Sequence, residues 1–437
     1  MLHLSVRDIL KSRRGRLSAS VTIVSAKQMM HFNMCIGCLH QLVHAGRNMG
    51  GDANHVFHDS SRQKSVLEIQ PSNLVGRMKL PPSKSHSMRW LTLASMDSSP
   101  TKISMWEIGE DVQALIDCLI DLGIDWDGRV MTGGELNPPP SKLDCKNSGT
   151  ALRFLIGQAA TCDFTITLDG DSSLRARSSL HLPKSLGVEV KSGSNNSEYP
   201  MLIQGPFDLK SVEIDVSKTS QFHSSIMLMA PRTNGFSITT KGEAVSRNHS
   251  ALTWDLCKLT GATKPGIPWQ VSCPDVVIPP DASMMAFAKL AGLNVENEPD
   301  NSDSIGHFLD ESELRDSNDL ITPMAAWLAL GEGGKITGAE HAAYKESNRI
   351  LRTSEMLSKF SIKSTINSDG ITVPGGQKPL RPKGIVETYG DHRIQMTAVI
   401  LASISGGLVE GAELHRVAWP SYLEQLIDCG LKVRVQP

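Results

Sequence analysis

The chain has 437 residues, a formal net charge of −2 and 40% hydrophobic residues, a length that at about 100–200 residues per domain predicts two or three domains with cores of their own. Aromatics at 5% and charged residues at 21% exclude a coiled coil and a disordered polyelectrolyte. No apolar run reaches the ~18 residues of a spanning helix, and near-zero net charge gives no general reason to expect nucleic-acid or membrane binding.

The balance is uneven along the chain. Residues 1–65 hold nine Lys/Arg against three Asp/Glu, which leaves −8 on the other 372 residues. The run Lys11, Arg13, Arg14, Arg16, Ser18 and Ser20 is Arg- and Ser-rich and poor in acid, as in an organelle transit peptide. The plainer expectation is a basic extension that is disordered or not native to the protein. Cys35, Cys38, His40 and His44 offer four zinc ligands, but their spacing is too compressed for an ordinary finger and no metal is expected. The other six cysteines (118, 145, 162, 257, 273, 429) sit among apolar residues and read as reduced core thiols.

From residue 66 onward one pattern recurs six times. A polar start leads into a run of small and apolar residues. The starts are Ser83-Lys84-Ser85-His86-Ser87, Asn147-Ser148-Gly149-Thr150, Thr219-Ser220-Gln221, Asp281-Ala282-Ser283, Asn318-Asp319 and Gly390-Asp391-His392-Arg393. Each predicts a capped helix N-terminus. Between them, Gly123, Gly187, Gly292 and Gly430 each close a helix-like stretch and precede an alternating one, so each predicts a left-handed C-cap followed by a strand. Strand and helix alternate throughout, which makes the class α/β. The regular spacing of the starts suggests an internal repeat. Helix N-termini attract anions, and Lys84, Arg89, Arg153 and Arg393 add cations at these ends. If the ends converge, they form a site for a multiply charged small anion.

These segments resemble, in order, the motifs of the enolpyruvyl transferases, in the branch that acts on shikimate 3-phosphate. The resemblance is carried by Ser83–Arg89, Asn147–Arg153, Leu174–Arg177, Thr219–Phe222, Lys345–Arg349, Tyr389–Arg393 and Trp419–Tyr422. It covers about residues 66–437. It implies two similar domains, each of three βαβαββ units in an inside-out α/β barrel, with a cleft between them. Residues 66–82 with 281–437 would form the first domain and 83–280 the second, with crossovers near Pro81–Pro82 and Pro279–Asp281.

The implied reaction moves the enolpyruvyl group of phosphoenolpyruvate to the 5-hydroxyl of shikimate 3-phosphate and releases phosphate. It belongs to chorismate and aromatic amino-acid biosynthesis. No cofactor, metal, nucleic acid or membrane is implied, and a cytoplasmic monomer is expected, in a plastid or other organelle if the basic segment is a transit peptide. By motif position, Ser85, Arg89, Thr219, Ser220 and Ser246 would hold shikimate 3-phosphate. Lys84, Arg177, Gln221, Arg349 and Arg393 would surround phosphoenolpyruvate. Asn147 belongs to the same set of substrate contacts, and Gly149 lies where the backbone passes close to phosphoenolpyruvate. Asp319 would accept the hydroxyl proton, with Asp316 and Glu313 as rivals in the same loop. Lys345 and Glu346 would deliver the other proton, with Lys84 beside them.

Five positions depart from the pattern. Val417 stands where the family usually has a lysine, with Arg416 adjacent. His249 replaces a tyrosine, Ser347 and Asn348 replace Thr and Asp, and Ser178 replaces a proline after Arg177. The alternatives are therefore a catalytically weak relative that binds a phosphorylated small molecule, and an enolpyruvyl transferase acting on UDP-N-acetylglucosamine.

Overall fold

The computed structural model describes residues 19–25, 28–34, 65–191, 197–300 and 313–436. Residues 1–61 group as a unit apart from residues 62–437. In it, Ala19–Ser25 and Gln28–Met34 pair as antiparallel strands. Cys35, Cys38, His40 and His44 lie outside the described residues.

Beyond residue 65, the buried apolar side chains gather into two cores. One draws on residues between Met88 and Ile278. The other draws on Leu67–Leu80 and on residues between Met284 and Leu431. Among the described residues each core is bounded by three sheets. Around the first, Glu189–Lys191, Met201–Gln204, Thr165–Asp169 and Leu143–Asp144 form one sheet in that order. Val276–Val277, Thr101–Ser104, Val130–Thr132 and Asp125–Trp126 form the second, and Ser211–Asp215 lies parallel to Ser237–Lys241 in the third. Around the second core, the largest sheet runs Ile385–Val386, Gly407–Glu410, Val66–Gln70 and Lys432–Gln436. The others are Gly333–Ile336, Gly370–Pro374 and Thr365–Asn367, and the parallel pair Asn294–Val295 with Arg77–Met78.

Nine helices position the site: α1 (Lys84–Ala94), α2 (Glu110–Asp121), α3 (Gly149–Ala160), α4 (Gln221–Met229), α5 (Arg247–Leu259), α6 (Met285–Leu290), α7 (Ile321–Leu330), α8 (Arg349–Lys359) and α9 (His392–Ser405). Three are buried almost throughout: α1 from His86 to Ala94, α3 from Ala151 to Ala160 and α9 from His392 to Ser403. A helix apolar all round belongs inside, so the helices fill each core and the sheets wrap them. Each of the six polar starts opens one of the inner helices α1, α3, α4, α6, α7 and α9; Asn318–Leu320 and Ala282–Met284 do so through a 3₁₀ turn. The four C-cap glycines all have positive φ, and each is followed by a strand.

The inner helices pack closely. A Cβ at Gly157 of α3 would lie 2.5 Å from Ser225 Oγ and 3.0 Å from its carbonyl oxygen on α4. The two segments that link the cores run side by side: Ser83 N–H donates to Pro279 O at 2.7 Å and Asp281 N–H to Pro81 O at 2.8 Å, with Pro82 and Pro280 bridged antiparallel. Proline lacks the donor for a longer ladder, which keeps this junction to two bonds. Among the described residues no helix is long and apolar enough to cross a membrane.

Gly157→Val should force α3 and α4 apart and cost about 1–3 kcal/mol. Urea unfolding would measure this. Unchanged stability would show that the helix contact adapts freely.

Candidate active site

The starts of the inner helices bring charged residues of the two cores together. Lys84 opens α1, and its Nζ lies 3.2 Å from Asp111 Oδ2 on α2. Burial pushes the ammonium pKa down, but the carboxylates of Asp111, Glu346 and Asp319 outweigh it, so Lys84 stays charged. Lys84 N–H also donates to Asp281 Oδ2 at 3.3 Å. Asp281 Oδ1 in turn accepts from Ser283 Oγ at 2.6 Å, and Ser283 Oγ accepts from Arg393 Nη2 at 3.0 Å. A chain of polar contacts therefore runs from the first core into the second.

On the first core's side, Arg153 and Arg177 converge over Gly149. A Cβ there would lie 3.2 Å from Arg177 Nη1 and 3.4 Å from Arg153 Nη1. Arg177 donates to the main-chain oxygen of Asn147 at 2.7 Å and to its side-chain oxygen, and to Ser173 O at 3.2 Å. Arg153 donates to Gln221 Oε1, and Gln221 Nε2 donates to Thr150 Oγ1 at 2.9 Å. Burial and then the neighbouring Arg177 lower the Arg153 pKa to about 10. Two guanidinium groups here lean on neutral acceptors, which leaves a local excess of positive charge.

On the second core's side, Arg349 is only 1% exposed. Its Nε donates to Asp391 Oδ2 at 2.8 Å, and its other nitrogens donate to Asp319 and Glu346. Asp391 caps α9 through Arg393 N–H at 2.9 Å and also accepts from Ser347 Oγ at 3.0 Å. Asn348 caps α8, accepting from Leu351 N–H at 3.2 Å, so the departure from aspartate keeps an acceptor at that end. Asp319 lies 3.7 Å from Lys345 Nζ and 3.4 Å from Arg393 Nη2. Burial works against its charge, but Arg393, Lys345, Arg349 and Lys84 hold its carboxyl well below the usual carboxylate range. Glu346 is likewise held well below that range: burial raises it, and Arg349, Arg177, His392 and Lys84 outweigh burial. Lys345 is lowered, chiefly by burial.

The rivals of Asp319 are engaged elsewhere. Asp316 makes a forked ion pair with Arg247, with Nε–Oδ2 at 2.9 Å and Nη2–Oδ2 at 2.5 Å. Glu313 lies 3.6 Å from Arg315 Nε at a half-exposed position. Ser246, at positive φ before α5, accepts from Asn318 Nδ2 at 3.5 Å. Ser85 presents its carbonyl to Arg89 Nη1 at 2.8 Å. Arg89 is buried and further occupied by Thr253 Oγ1 at 2.6 Å, Ser224 Oγ at 3.2 Å and His249 O at 3.1 Å. Thr219 Oγ1 accepts from Gln221 N–H at 3.2 Å, and Ser220 is buried as the residue before α4.

Arg416 does not turn inward. It is 49% exposed and pairs with Glu413 at 3.1 Å. Val417 is 7% exposed and lines a small cavity with Lys84, Ser87, Glu107 and Gly109. The cation absent at 417 is therefore not supplied by its neighbour.

Sequence reading left Asp111 and Asp391 out of the site, and it noted Arg153 only as a cation at a helix start. The signal for Arg153 was present, since it lies in the first turns of α3 together with Gly149. Asp391 lay inside the motif Tyr389–Arg393, of which only Arg393 was given a role, and Asp111 had no signal beyond its position at a helix start; only the fold shows which cations they meet.

Residues 69–283 and 267–426 match the profile of the family EPSP synthase (3-phosphoshikimate 1-carboxyvinyltransferase). The chain belongs to the EPSP synthase family. A curated relative named 3-phosphoshikimate 1-carboxyvinyltransferase from Methanothermobacter thermautotrophicus is 28% identical over 420 residues, covering 84% of this chain and 99% of that one. One of the same name from Lactococcus lactis is 29% identical over 422 residues, covering 82% and 98%. The solved EPSP synthase of Acinetobacter baumannii superposes with a TM-score of 0.67 at 21% identity, over 86% of this chain and all of that one. The fold is thus the family's two-domain inside-out α/β architecture, and the family makes the chain a transferase.

Two outcomes follow from this geometry. Asp391→Ala removes the Nε partner of the buried Arg349 and the cap of α9, and should cost about 3–5 kcal/mol in urea unfolding; a loss under about 1 kcal/mol would show that Asp319 and Glu346 suffice. Burial, as the leading cause, lowers the pKa of His249 to about 3 and those of His341 and His415 to about 4. The unfolded imidazoles titrate near ~6.5, so the unfolded chain binds more protons. Stability should therefore fall as pH drops from about 6.5 toward 4. A urea midpoint that is constant across pH 7.5, 6 and 5 would contradict this.

Proposed function

We propose that the chain catalyses its family's reaction with the residues above: transfer of the enolpyruvyl group of phosphoenolpyruvate to the 5-hydroxyl of shikimate 3-phosphate, with release of phosphate. Residues 83–280 form one globular domain in this reading, and 66–82 with 281–437 the other. The observation that carries it is the meeting of Lys84, Arg153 and Arg177 from the first core with Lys345, Arg349 and Arg393 from the second, around the carboxylates Asp319 and Glu346. An addition–elimination between two anionic molecules needs such cations, plus a group that gives a proton and one that takes it.

Lys84, Arg177, Gln221, Arg349 and Arg393 are assigned to phosphoenolpyruvate, with Asn147 and Gly149 shaping that side and Arg153 added to the set. Forked guanidinium groups suit its carboxylate and phosphate. Ser85, Arg89, Thr219, Ser220 and Ser246 are assigned to shikimate 3-phosphate. Asp319 is the proton acceptor, supported by its place among the cations while Asp316 and Glu313 are held by Arg247 and Arg315. Lys345 and Glu346 serve proton delivery to the methylene carbon. The enzyme acts as a cytoplasmic monomer on these two small molecules, without nucleic acid or membrane.

Phosphate release from phosphoenolpyruvate should depend on shikimate 3-phosphate and not on UDP-N-acetylglucosamine. The reverse dependence would move the chain to the other branch of the family. Val417 favours a second reading, a weak catalyst that still binds both substrates, because one charge-assisted contact is worth about 1.5–3 kcal/mol. Val417→Lys should then lower the phosphoenolpyruvate KM by roughly tenfold or more. An unchanged KM would show that the remaining cations already saturate the anion.

A further inference from the structure

Each guanidinium that the second core contributes to the site is partly spent on Asp319. Arg349 donates to its Oδ1, Arg393 Nη2 lies 3.4 Å from its Oδ2, and Arg393 Nη1 holds its main-chain oxygen at 3.1 Å. Lys345 Nζ completes the cage at 3.7 Å. The first core is different, since Arg153 and Arg177 rest on neutral acceptors. The three carboxylates around Arg349 also differ among themselves. Asp391 is fully buried, and both its oxygens are committed to fixed donors. Glu346 lies in the same short segment as Arg349. Asp319 is the most open of the three, at 28% exposure, and sits on the 3₁₀ turn Asn318–Leu320.

We propose that Asp319 is an internal competitor for the anion site: it occupies the cations that phosphoenolpyruvate requires, and becomes a proton acceptor only when that ligand draws Arg349 and Arg393 away from it. This rests on the function proposed above. A carboxylate caged by cations is a poor base, because the cage favours its charged form. Once a ligand anion takes those two guanidinium groups, only Lys345 and Lys84 remain of the cage, and a like charge stands beside the carboxylate. Both changes favour uptake of a proton. The hydroxyl O–H bond then breaks, its proton passes to Asp319, and its oxygen bonds to the enolpyruvyl carbon as that carbon's π bond opens and the methylene carbon takes a proton from Lys345; the tetrahedral adduct then expels phosphate and loses a methyl proton to restore the double bond. Binding of one substrate thereby arms the group that activates the other. The groups that face Asp319 are Lys84 from α1, His249 from α5, His341 and Lys345 from the segment before α8, Arg349 from α8 and Arg393 from α9. The two histidines are neutral, so their charge does not screen the exchange.

Calorimetry of phosphoenolpyruvate binding to the full chain tests this without turnover. Asp319→Asn keeps the shape and removes the competing charge, and should bind phosphoenolpyruvate roughly tenfold tighter than wild type. Equal or weaker binding by a variant that melts like wild type would overturn the proposal. The wild type supplies a second test that needs no variant. Sulfate, whose own charge is constant between pH 5 and 7.5, should bind with proton uptake at pH 5 and none at pH 7.5, read from buffers of different ionisation enthalpy. No uptake at pH 5, or no sulfate binding up to tens of millimolar, would equally overturn it. Tighter binding by Asp319→Asn, with no turnover by wild type, would leave the competition standing and remove the catalytic reading.

Discussion

Arg349 is the point on which the second half of the site depends. It is a long cation with 1% exposure, and it remains charged because carboxylates from three separate stretches of chain meet it. A buried guanidinium without such partners would be strongly destabilising. Holding it therefore fixes the start of α8, the turn before α7 and the cap of α9 against one another. The same contacts orient Arg393, Lys345 and Glu346. Local stability and the layout of the site come from a single electrostatic constraint.

That constraint works because the fold is built with its helices inside. Helices buried on every side can offer only their ends to solvent, and the N-terminal ends carry free N–H groups and a positive dipole. Polar residues at those ends serve two purposes. Ser148, Asp281 and Asp391 cap helices or turns through their side chains, while the neighbouring Lys84, Arg153 and Arg393 face the other core or the space above Gly149. The paired proline segments at 81–82 and 279–280 limit the covalent junction to a short bridge. Side-chain contacts such as Arg247 with Asp316 then tie the two halves together at the rim.

Charge is distributed unequally between the halves. The first core leaves Arg153 and Arg177 over Gly149 with neutral partners, while the second cages its cations with acids. Val417 deepens the asymmetry, since an apolar residue stands beside Lys84 and Arg416 points to solvent. An anion entering the site would meet guanidinium groups hydrogen-bonded to neutral acceptors on the first core's side and would have to exchange partners with carboxylates on the second.

Much of the architecture was legible in the chain because its signals are local. A polar start, an apolar run and a closing glycine report backbone conformation within a few residues. All six starts open helices, though only Ser148, Asp281 and Asp391 cap through their side chains while Ser83, Ser220 and Ser317 do not, and all four C-cap glycines have positive φ. The ordered motifs likewise identified the family. Pairing was not legible, because it depends on residues far apart in sequence. Asp319 stands at a polar helix start and at the family's acidic position, but the chain alone leaves Asp316 and Glu313 as rivals in the same loop. Only the packed structure puts Arg247 on one, Arg315 on another and three cations of the site on the third. Arg89 and Arg416 make the same point in opposite directions, since one is closed in by Thr253 and Ser224 and the other is turned out to Glu413. The sequence by itself determined the elements, their order and the kinds of charge available. The tertiary structure decided which charges meet, because side-chain electrostatics acts through space over a few ångströms and takes no account of distance along the chain.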